Sequence, residues 1–398
     1  MASSPGLYLH VPFCSAICPY CDFAVTTGDA GRRERFVEAM IREIETVAHP
    51  RAWGEFDTVY LGGGTPSALR AEQIGDLLAA LDRNFTLTGT RTRCGASALD
   101  GSESVASSDR PMTSIEVNPE DVTAAVVGEC AALGVDRLSL GVQSFDDDEL
   151  RFLGRRHRAL DARRAVEIGR GAGLVVSIDL IYGLPGQSPS AWRRNLETAV
   201  SVRPDHLSCY QLTIEPGTPF YIKSRRGDWT EPDNDELAEL FYLTHRFLAD
   251  AGYPAYEVSN FARSPEVECD HNRKYWEGAP YLGLGPSAHS FDGRSRWWNE
   301  RSERAWRRAV EGGASPVADR EKLDDRELAL ERVMLGLRTP GGVDLSVLGV
   351  DLRDLLAANR GRLERFAREG LVRVEGARLI PTLDGMARAD ALARAIEL

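Results

Sequence analysis

The sequence predicts an α/β fold. Six β-α units run in series on a parallel sheet, and a smaller α+β module of winged-helix character follows. Three observations predict this. From the N-terminus to about residue 260, short β-branched runs alternate with longer stretches of helical periodicity. Several of the short runs are apolar on both faces, as buried parallel strands are. After about residue 300 the pattern becomes helices and then a hairpin. Periodicity leaves two arrangements open for the first part: a sheet closed or partly closed into a barrel, and an open doubly wound sheet.

The strands are expected at residues 7–11, 58–61, 114–117, 137–142, 175–181 and 206–214. Between them, 32–47 repeats Phe36, Met40, Ile44 and Val47 at helical spacing, and 67–81, 121–133, 160–172 and 189–200 read alike. Residues 88–113 break the pattern. They are rich in Ser, Gly, Ala and Thr and read as a flexible surface insertion, with Cys94 incidental. Further on, Leu330, Val333, Met334 and Leu337 mark one amphipathic helix, and residues 355–369, ended by Gly370, mark another. Residues 371–374, Gly376 and 379–380 form the hairpin. The expected division is a core at 1–260, a connecting segment at 261–300 and a C-terminal domain at 301–398. That last domain carries 18 basic and 17 acidic residues. It lacks the basic footprint of a DNA-binding module, so a structural or lid role is expected.

The chain has 398 residues and a net charge of −12, which disfavours non-specific binding to nucleic acid. No run of about 18 apolar residues occurs, so no membrane span is expected. The first six residues lack a basic stretch followed by an apolar one, which predicts a cytoplasmic protein. The seven cysteines are odd in number, which argues against a disulfide framework.

Three of those cysteines, Cys14, Cys18 and Cys21, fall within eight residues directly after the first strand. Thiolates at this Cys-x3-Cys-x2-Cys spacing can hold three irons of a [4Fe–4S] cluster and leave one iron open. A zinc site would want four ligands, and no second pair lies nearby. Leu61-Gly62-Gly63-Gly64-Thr65-Pro66 follows the second strand, where glycines permit a tight turn or close backbone approach to a ligand. Asp179 sits inside an apolar strand, which costs energy unless it finds partners.

Together these features resemble the radical S-adenosylmethionine (SAM) superfamily. The resemblance implies a partial (βα)6 barrel with the cluster at the C-terminal mouth of its strands and SAM on the open iron. Tyr8, Tyr20, Gly63, Gly64, Thr65, Glu116, Gln143, Arg155 and Asp179 are similar to the SAM site of the HemN-like branch. Arg155 would bond the SAM carboxylate with its planar fork, and Arg156 is the alternative register. Asp179 and Gln143 suit ribose hydroxyls.

That branch holds oxygen-independent coproporphyrinogen III oxidase and the HemW-type haem chaperones. The oxidase pattern has a fourth cysteine where this chain has Phe23, and it has an extension before the first strand. Cys269-Asp270-His271-Asn272-Arg273-Lys274-Tyr275-Trp276 resembles the chaperones' haem motif. It implies haem contact through His271, Asn272 and Tyr275, with Cys269 a competing ligand. His10 and His289 are ambiguous, and His49, His157, His206 and His245 read as structural. The resemblance therefore implies a haem chaperone that binds a cluster, SAM and haem. Its partners would be acceptor haemoproteins, respiratory ones among them, and an electron donor, and a homodimer is compatible. The rival readings are a coproporphyrinogen decarboxylase, another radical SAM reaction on a tetrapyrrole, and a nucleic-acid role for the C-terminal module.

Overall fold

The computed structural model describes residues 4–47, 53–89 and 110–398. His49, Cys94 and residues 90–109 of the expected insertion lie outside these. Six parallel strands lie side by side in chain order: Gly6–Val11, Thr58–Gly63, Met112–Val117, Arg137–Gln143, Val175–Tyr182 and His206–Gln211. The helices Ala30–Val47, Ala71–Asn84, Ala124–Ala132, Ala159–Gly171 and Pro189–Ser201 connect them. A doubly wound sheet reverses its strand order at one point. This order never reverses, so the barrel-type arrangement is the one adopted. It stays partial. The first strand pairs with Tyr281–Leu284 on its outer side, and the sixth pairs with Asn260–Ala262.

Local chemistry explains the boundaries. The first helix begins two residues before the expected start because the Asp29 carboxylate accepts the Arg32 N–H at 2.8 Å. Its Phe36, Met40 and Ile44 are fully buried against the sheet, each contributing roughly 1.5–3 kcal/mol. The last connecting helix starts at Pro189, with the Ser188 hydroxyl capping Ala191 N–H. The sixth strand ends at Gln211, short of residue 214, because the chain enters a turn closed by Thr218 N–H to Glu215 C=O.

The strands are less apolar than expected on one face. Val176, Ile178 and Leu180 join the core beneath the helices, but Ser177 and Asp179 line the lumen. Glu116, Ser139 and Ser208 do the same on neighbouring strands. Small serines among β-branched residues hide this alternation in the sequence.

Three antiparallel strands, His289–Phe291, Ser295–Asn299 and Val317–Lys322, extend the sheet to eleven. The large sheet thus runs past the boundary expected at residue 300. Glu43, buried in the first helix, ties this extension down by accepting from Gly285 N, Asn299 Nδ2 and Trp306 Nε1 at 2.7, 2.6 and 3.0 Å. A second hydrophobic core begins at Ala329 and is built by helices Asp325–Gly336 and Leu352–Arg368 and a three-stranded sheet. The hairpin Val372–Glu375 with Arg378–Pro381 turns at Gly376, whose φ is 63°. Two short terminal helices, Leu383–Met386 and Ala389–Ala395, complete the module and carry no clear signal in the sequence.

Candidate functional site

At the C-terminal ends of the parallel strands lies a cavity of about 470 Å³. Cys14, Cys18 and Cys21 all line it. Their loop is fixed from behind. Cys14 N–H donates to Thr26 C=O at 2.9 Å, and Phe13 is buried against Phe36 with ring centroids 5.2 Å apart. His10 Nε2 donates to Ala24 C=O of the loop at 3.0 Å, which leaves Nδ1 to accept the Tyr8 hydroxyl at 3.1 Å. Burial lowers the His10 pKa, against the opposing hydrogen bond to Ala24 C=O.

The glycines after the second strand serve close approach. Gly63 has φ 110°, and Gly64 lies so near the cysteine loop that a Cβ there would stand 2.8 Å from the Phe13 carbonyl oxygen. Thr65 Oγ1 then donates to the Cys14 sulfur at 3.6 Å. Asn118 Nδ2 donates to Thr65 Oγ1 at 3.0 Å, while Asn118 Oδ1 accepts from Arg155 Nη2 at 2.6 Å. Arg155 Nη1 reaches the Cys18 sulfur at 3.4 Å. One chain of contacts therefore runs Cys14, Thr65, Asn118, Arg155, Cys18. Arg155 lines the cavity and Arg156 is exposed.

Two carboxyl groups face the same space. Glu116 accepts from Tyr60 Oη and Gly63 N, both at 3.0 Å, and burial pushes it up to about 7, with Asp179 adding to the rise. Burial likewise raises Asp179 to about 6, against hydrogen bonds from Ser208 and Ser139 that oppose the rise. Gln143 closes the ring in a left-handed conformation, φ 66°, uncommon outside glycine. Tyr20 lines the wall beside Cys18, its ring 6.1 Å from Phe220. Tyr8 does not line the cavity; its hydroxyl lies 3.1 Å from His10 Nδ1, and its ring stacks on Tyr60, a lining residue, with centroids 6.2 Å apart.

Three thiols on one cavity wall suit a cluster better than a single ion. Among the described residues no three Cys, His, Asp or Glu side chains converge as a mononuclear site would require. A cubane takes one thiolate per iron, so its ligands stand apart. Burial raises Cys14 to about 11 and also raises Cys21. Thiols so placed become thiolates when iron supplies the positive charge. The donors from Thr65 and Arg155 would then tune the cluster through its cysteine sulfurs.

The haem-motif residues divide. They lie on helix Asp270–Glu277, with Cys269 at its N-cap. Cys269 and Asn272 line the cavity floor, and burial raises the Cys269 thiol. His271 is buried, with one ring nitrogen 3.0 Å from Thr58 Oγ1 and the other 3.1 Å from Tyr275 Oη. Its ring stacks on Tyr60 with centroids 5.2 Å apart, and burial lowers it to about 3. In this conformation His271 offers no free nitrogen to iron. The sequence motif did not reveal this, because Thr58 lies 213 residues away along the chain. Trp276 points elsewhere, into a groove against the C-terminal module.

Of the other described histidines, His206 also lines the cavity, and the rest lie outside its lining. His157 bonds Val142 C=O at 3.0 Å and lies 3.3 Å from the Glu120 carboxylate, His245 bonds Val258 C=O at 3.1 Å, and His206 bonds Ser177 Oγ at 2.7 Å and Tyr256 Oη at 2.8 Å. His289 stacks on Trp298 away from the cavity. Asn118, Tyr60, Arg137, Ser139 and Ser208 are site residues the sequence reading passed over. Asn118 had a signal, since it stands two residues beyond Glu116 at strand spacing. No helix among the described residues is long and apolar enough to cross a membrane.

Comparison with known proteins agrees with this geometry. Residues 8–199 match the radical SAM superfamily model, and residues 323–388 match the HemN C-terminal domain. The chain is 36% identical to the heme chaperone HemW of Mycobacterium tuberculosis over 98% of this chain and 94% of that one. It is 31% identical to heme chaperone HemW of Bacillus subtilis over 84% of each chain. Its fold is similar to coproporphyrinogen III oxidase (HemN) of Escherichia coli, with TM-score 0.80 and 24% identity, covering 98% of this chain and 89% of that one. The chain belongs to the radical SAM superfamily, in the family of the HemW heme chaperones.

Proposed function

We propose that the protein is a radical-SAM-type haem chaperone of the cytoplasm. In this reading Cys14, Cys18 and Cys21 hold a [4Fe–4S] cluster, and Glu116, Gln143, Arg155 and Asp179, with the Gly63-Gly64-Thr65 turn and Tyr20, hold SAM. Haem binds along helix Asp270–Glu277 and passes to acceptor haemoproteins. Respiratory enzymes are the acceptor class that the family resemblance implies, and an electron donor would serve the cluster. The observation that carries the reading is the likeness to named haem chaperones over almost the whole chain. The unbroken contact chain from Cys14 to Cys18 supports it.

When bound, the cluster supplies the electron for reductive cleavage of SAM. The protein's own residues bind and orient. Arg155 is already held at a fixed angle by Asn118 and Gly141 C=O, at 2.6 and 3.0 Å, so a carboxylate would meet a preorganised fork. Glu116 and Asp179 accept hydrogen bonds when ionised and can donate when protonated. Gly63 and Gly64 let the turn pack against His10 and the cysteine loop, where a Cβ would stand 2.6 Å from the His10 ring and 2.8 Å from the Phe13 carbonyl oxygen.

The test is an anaerobic assay on the reconstituted protein with coproporphyrinogen III, haem and SAM. The chaperone reading expects haem to bind, to be recovered unchanged and to pass to an apo-haemoprotein. Protoporphyrinogen formation, or chemically altered haem, would replace it with an enzyme acting on a tetrapyrrole.

A further inference from the structure

Gln143, on the cavity wall, sits in a strained turn. Ser144 N–H donates to Val142 C=O at 2.8 Å, which closes a three-residue loop around Gln143, whose φ is 66°. This is the rare hand of the γ-turn, and a glutamine has no intrinsic preference for it. The pairing with the next strand slips at the same place, between Leu140 and Gln143. Strain of this kind persists only where neighbouring structure over-determines it, and it gathers at functional sites. The side chain that the turn aims is central to the cavity. A Cβ at Gly141 would stand 3.0 Å from Gln143 Nε2, 3.4 Å from Arg155 Nη2 and 3.6 Å from Asn118 Oδ1, so three polar ends gather over one glycine.

Glu149 holds this turn from outside the cavity lining. It is the third residue of the short helix Asp147–Phe152. An acid there ordinarily reaches back to the backbone N–H just before the helix. Here that N–H, of Asp146, is taken by Ser144 Oγ at 2.9 Å. The Glu149 carboxylate instead meets three side chains from other segments. Its Oε2 accepts from Ser144 Oγ at 2.5 Å and from Asn195 Nδ2 at 2.9 Å, and its Oε1 accepts from Gln187 Nε2 at 2.8 Å.

Each partner in turn fixes backbone. Ser144 directly follows Gln143. Asn195, on helix Pro189–Ser201, accepts Phe145 N–H through Oδ1 at 2.6 Å. Gln187 Oε1 accepts Gly183 N–H at 2.9 Å, one residue past the strand that carries Asp179. Ser144 and Asn195 are buried, where a hydrogen bond to a carboxylate is stronger than in water. One carboxylate thus ties the end of the fourth parallel strand to the end of the fifth.

We propose that Glu149 is a positioning residue of the candidate site. It clamps the γ-turn against the next strand and so keeps the Gln143 amide over Gly141, beside Arg155 and Asn118. The inference rests on the reading of this cavity as a SAM site, and adds which remote residue sets the angle of a side chain expected at the ribose.

The experiment measures equilibrium SAM binding to the anaerobically reconstituted full chain, to Glu149→Gln, to Gln187→Ala and to Gln143→Gly. It repeats both clamp changes in the Gln143→Gly background. Glycine takes a positive φ without strain and carries no amide, so the clamp has nothing left to aim. Glu149→Gln keeps the size of the side chain, but an amide cannot accept from all three donors. Gln187 is partly exposed, so Gln187→Ala cuts the same clamp with little risk to folding. Iron content and thermal unfolding accompany each titration.

The expected result is that Glu149→Gln weakens SAM binding about tenfold and Gln187→Ala about threefold to tenfold. Gln143→Gly loses at least as much as Glu149→Gln. In its background each clamp change adds less than about twofold. Iron content stays that of the unaltered chain, since none of the clamp's bonds involves the cysteine loop. A merely structural role would cost the same SAM affinity in both backgrounds, and that result overturns the proposal. So does SAM binding by Glu149→Gln or by Gln143→Gly within about twofold of the unaltered chain, or loss of iron from Glu149→Gln. Absence of saturable SAM binding by the unaltered chain would overturn the SAM reading itself, and the positioning role with it.

Discussion

Replacing Asn118 by Ala removes its bridge between Thr65 and Arg155, and so parts the two sides of the candidate site proposed for SAM. Two hydrogen bonds are lost, at 3.0 Å to the Thr65 hydroxyl and at 2.6 Å to the guanidinium. A neutral hydrogen bond contributes about 1 kcal/mol, and one to a charged group about 1.5–3 kcal/mol. Arg155 keeps Gly141 C=O and the Cys18 sulfur, so it stays in the cavity but loses its fixed angle. If about 3 kcal/mol were lost in full at the ligand, SAM affinity would fall roughly 150-fold. Water filling the gap restores part of it, so the expected loss lies between about tenfold and that limit. The assay is equilibrium SAM binding to the anaerobically reconstituted variant, with thermal unfolding alongside. Asn118→Asp should fall between the two, since it still accepts from Arg155 but cannot donate to Thr65 when ionised. Affinity in Asn118→Ala within about twofold of the unaltered chain would refute the claim that this bridge orders the site.

Three further outcomes follow from the same structure. Cys18→Ala should fail to retain the iron-rich brown chromophore after reconstitution, and a normal iron content would remove the cluster assignment. Gly64→Ala places a Cβ 2.8 Å from the Phe13 carbonyl oxygen, which is backbone and cannot give way cheaply; it should destabilise by about 1–3 kcal/mol and lower iron uptake, both read by calorimetry and iron assay. Glu43 is raised from 4.5 to about 7, chiefly by burial, so the folded state holds its proton longer than the unfolded one. Its contribution therefore makes stability fall as pH rises from about 4.5 to 7, by up to about 3 kcal/mol. Glu43→Gln should flatten that part of the stability–pH curve, and an unchanged slope would contradict the assignment.

Much of this architecture is legible in the sequence, for identifiable reasons. Each parallel strand announces itself because its outer face, such as Leu7 and Leu9 or Val176 and Ile178, must be apolar to meet a helix. The cluster loop is legible because three thiols at fixed spacing have few other uses. What escaped depends on contacts remote in sequence. Asn118 matters only because Arg155 and Thr65 close on it. His271 reads as a ligand until Thr58 and Tyr275 are seen to occupy its ring. The polar lumen escaped because Ser139, Ser177 and Ser208 are small enough not to interrupt a β-branched run. Trp276 and His271 are five residues apart in one motif, yet helical geometry turns them to different faces.

The central claim is that this chain carries haem. Its most direct test is an anaerobic haem titration of the reconstituted full chain, followed at the Soret band and then by mixing with an apo-haemoprotein. The account predicts a single saturating site and transfer of intact haem to the acceptor. A linear, unsaturated titration with no transfer would contradict it.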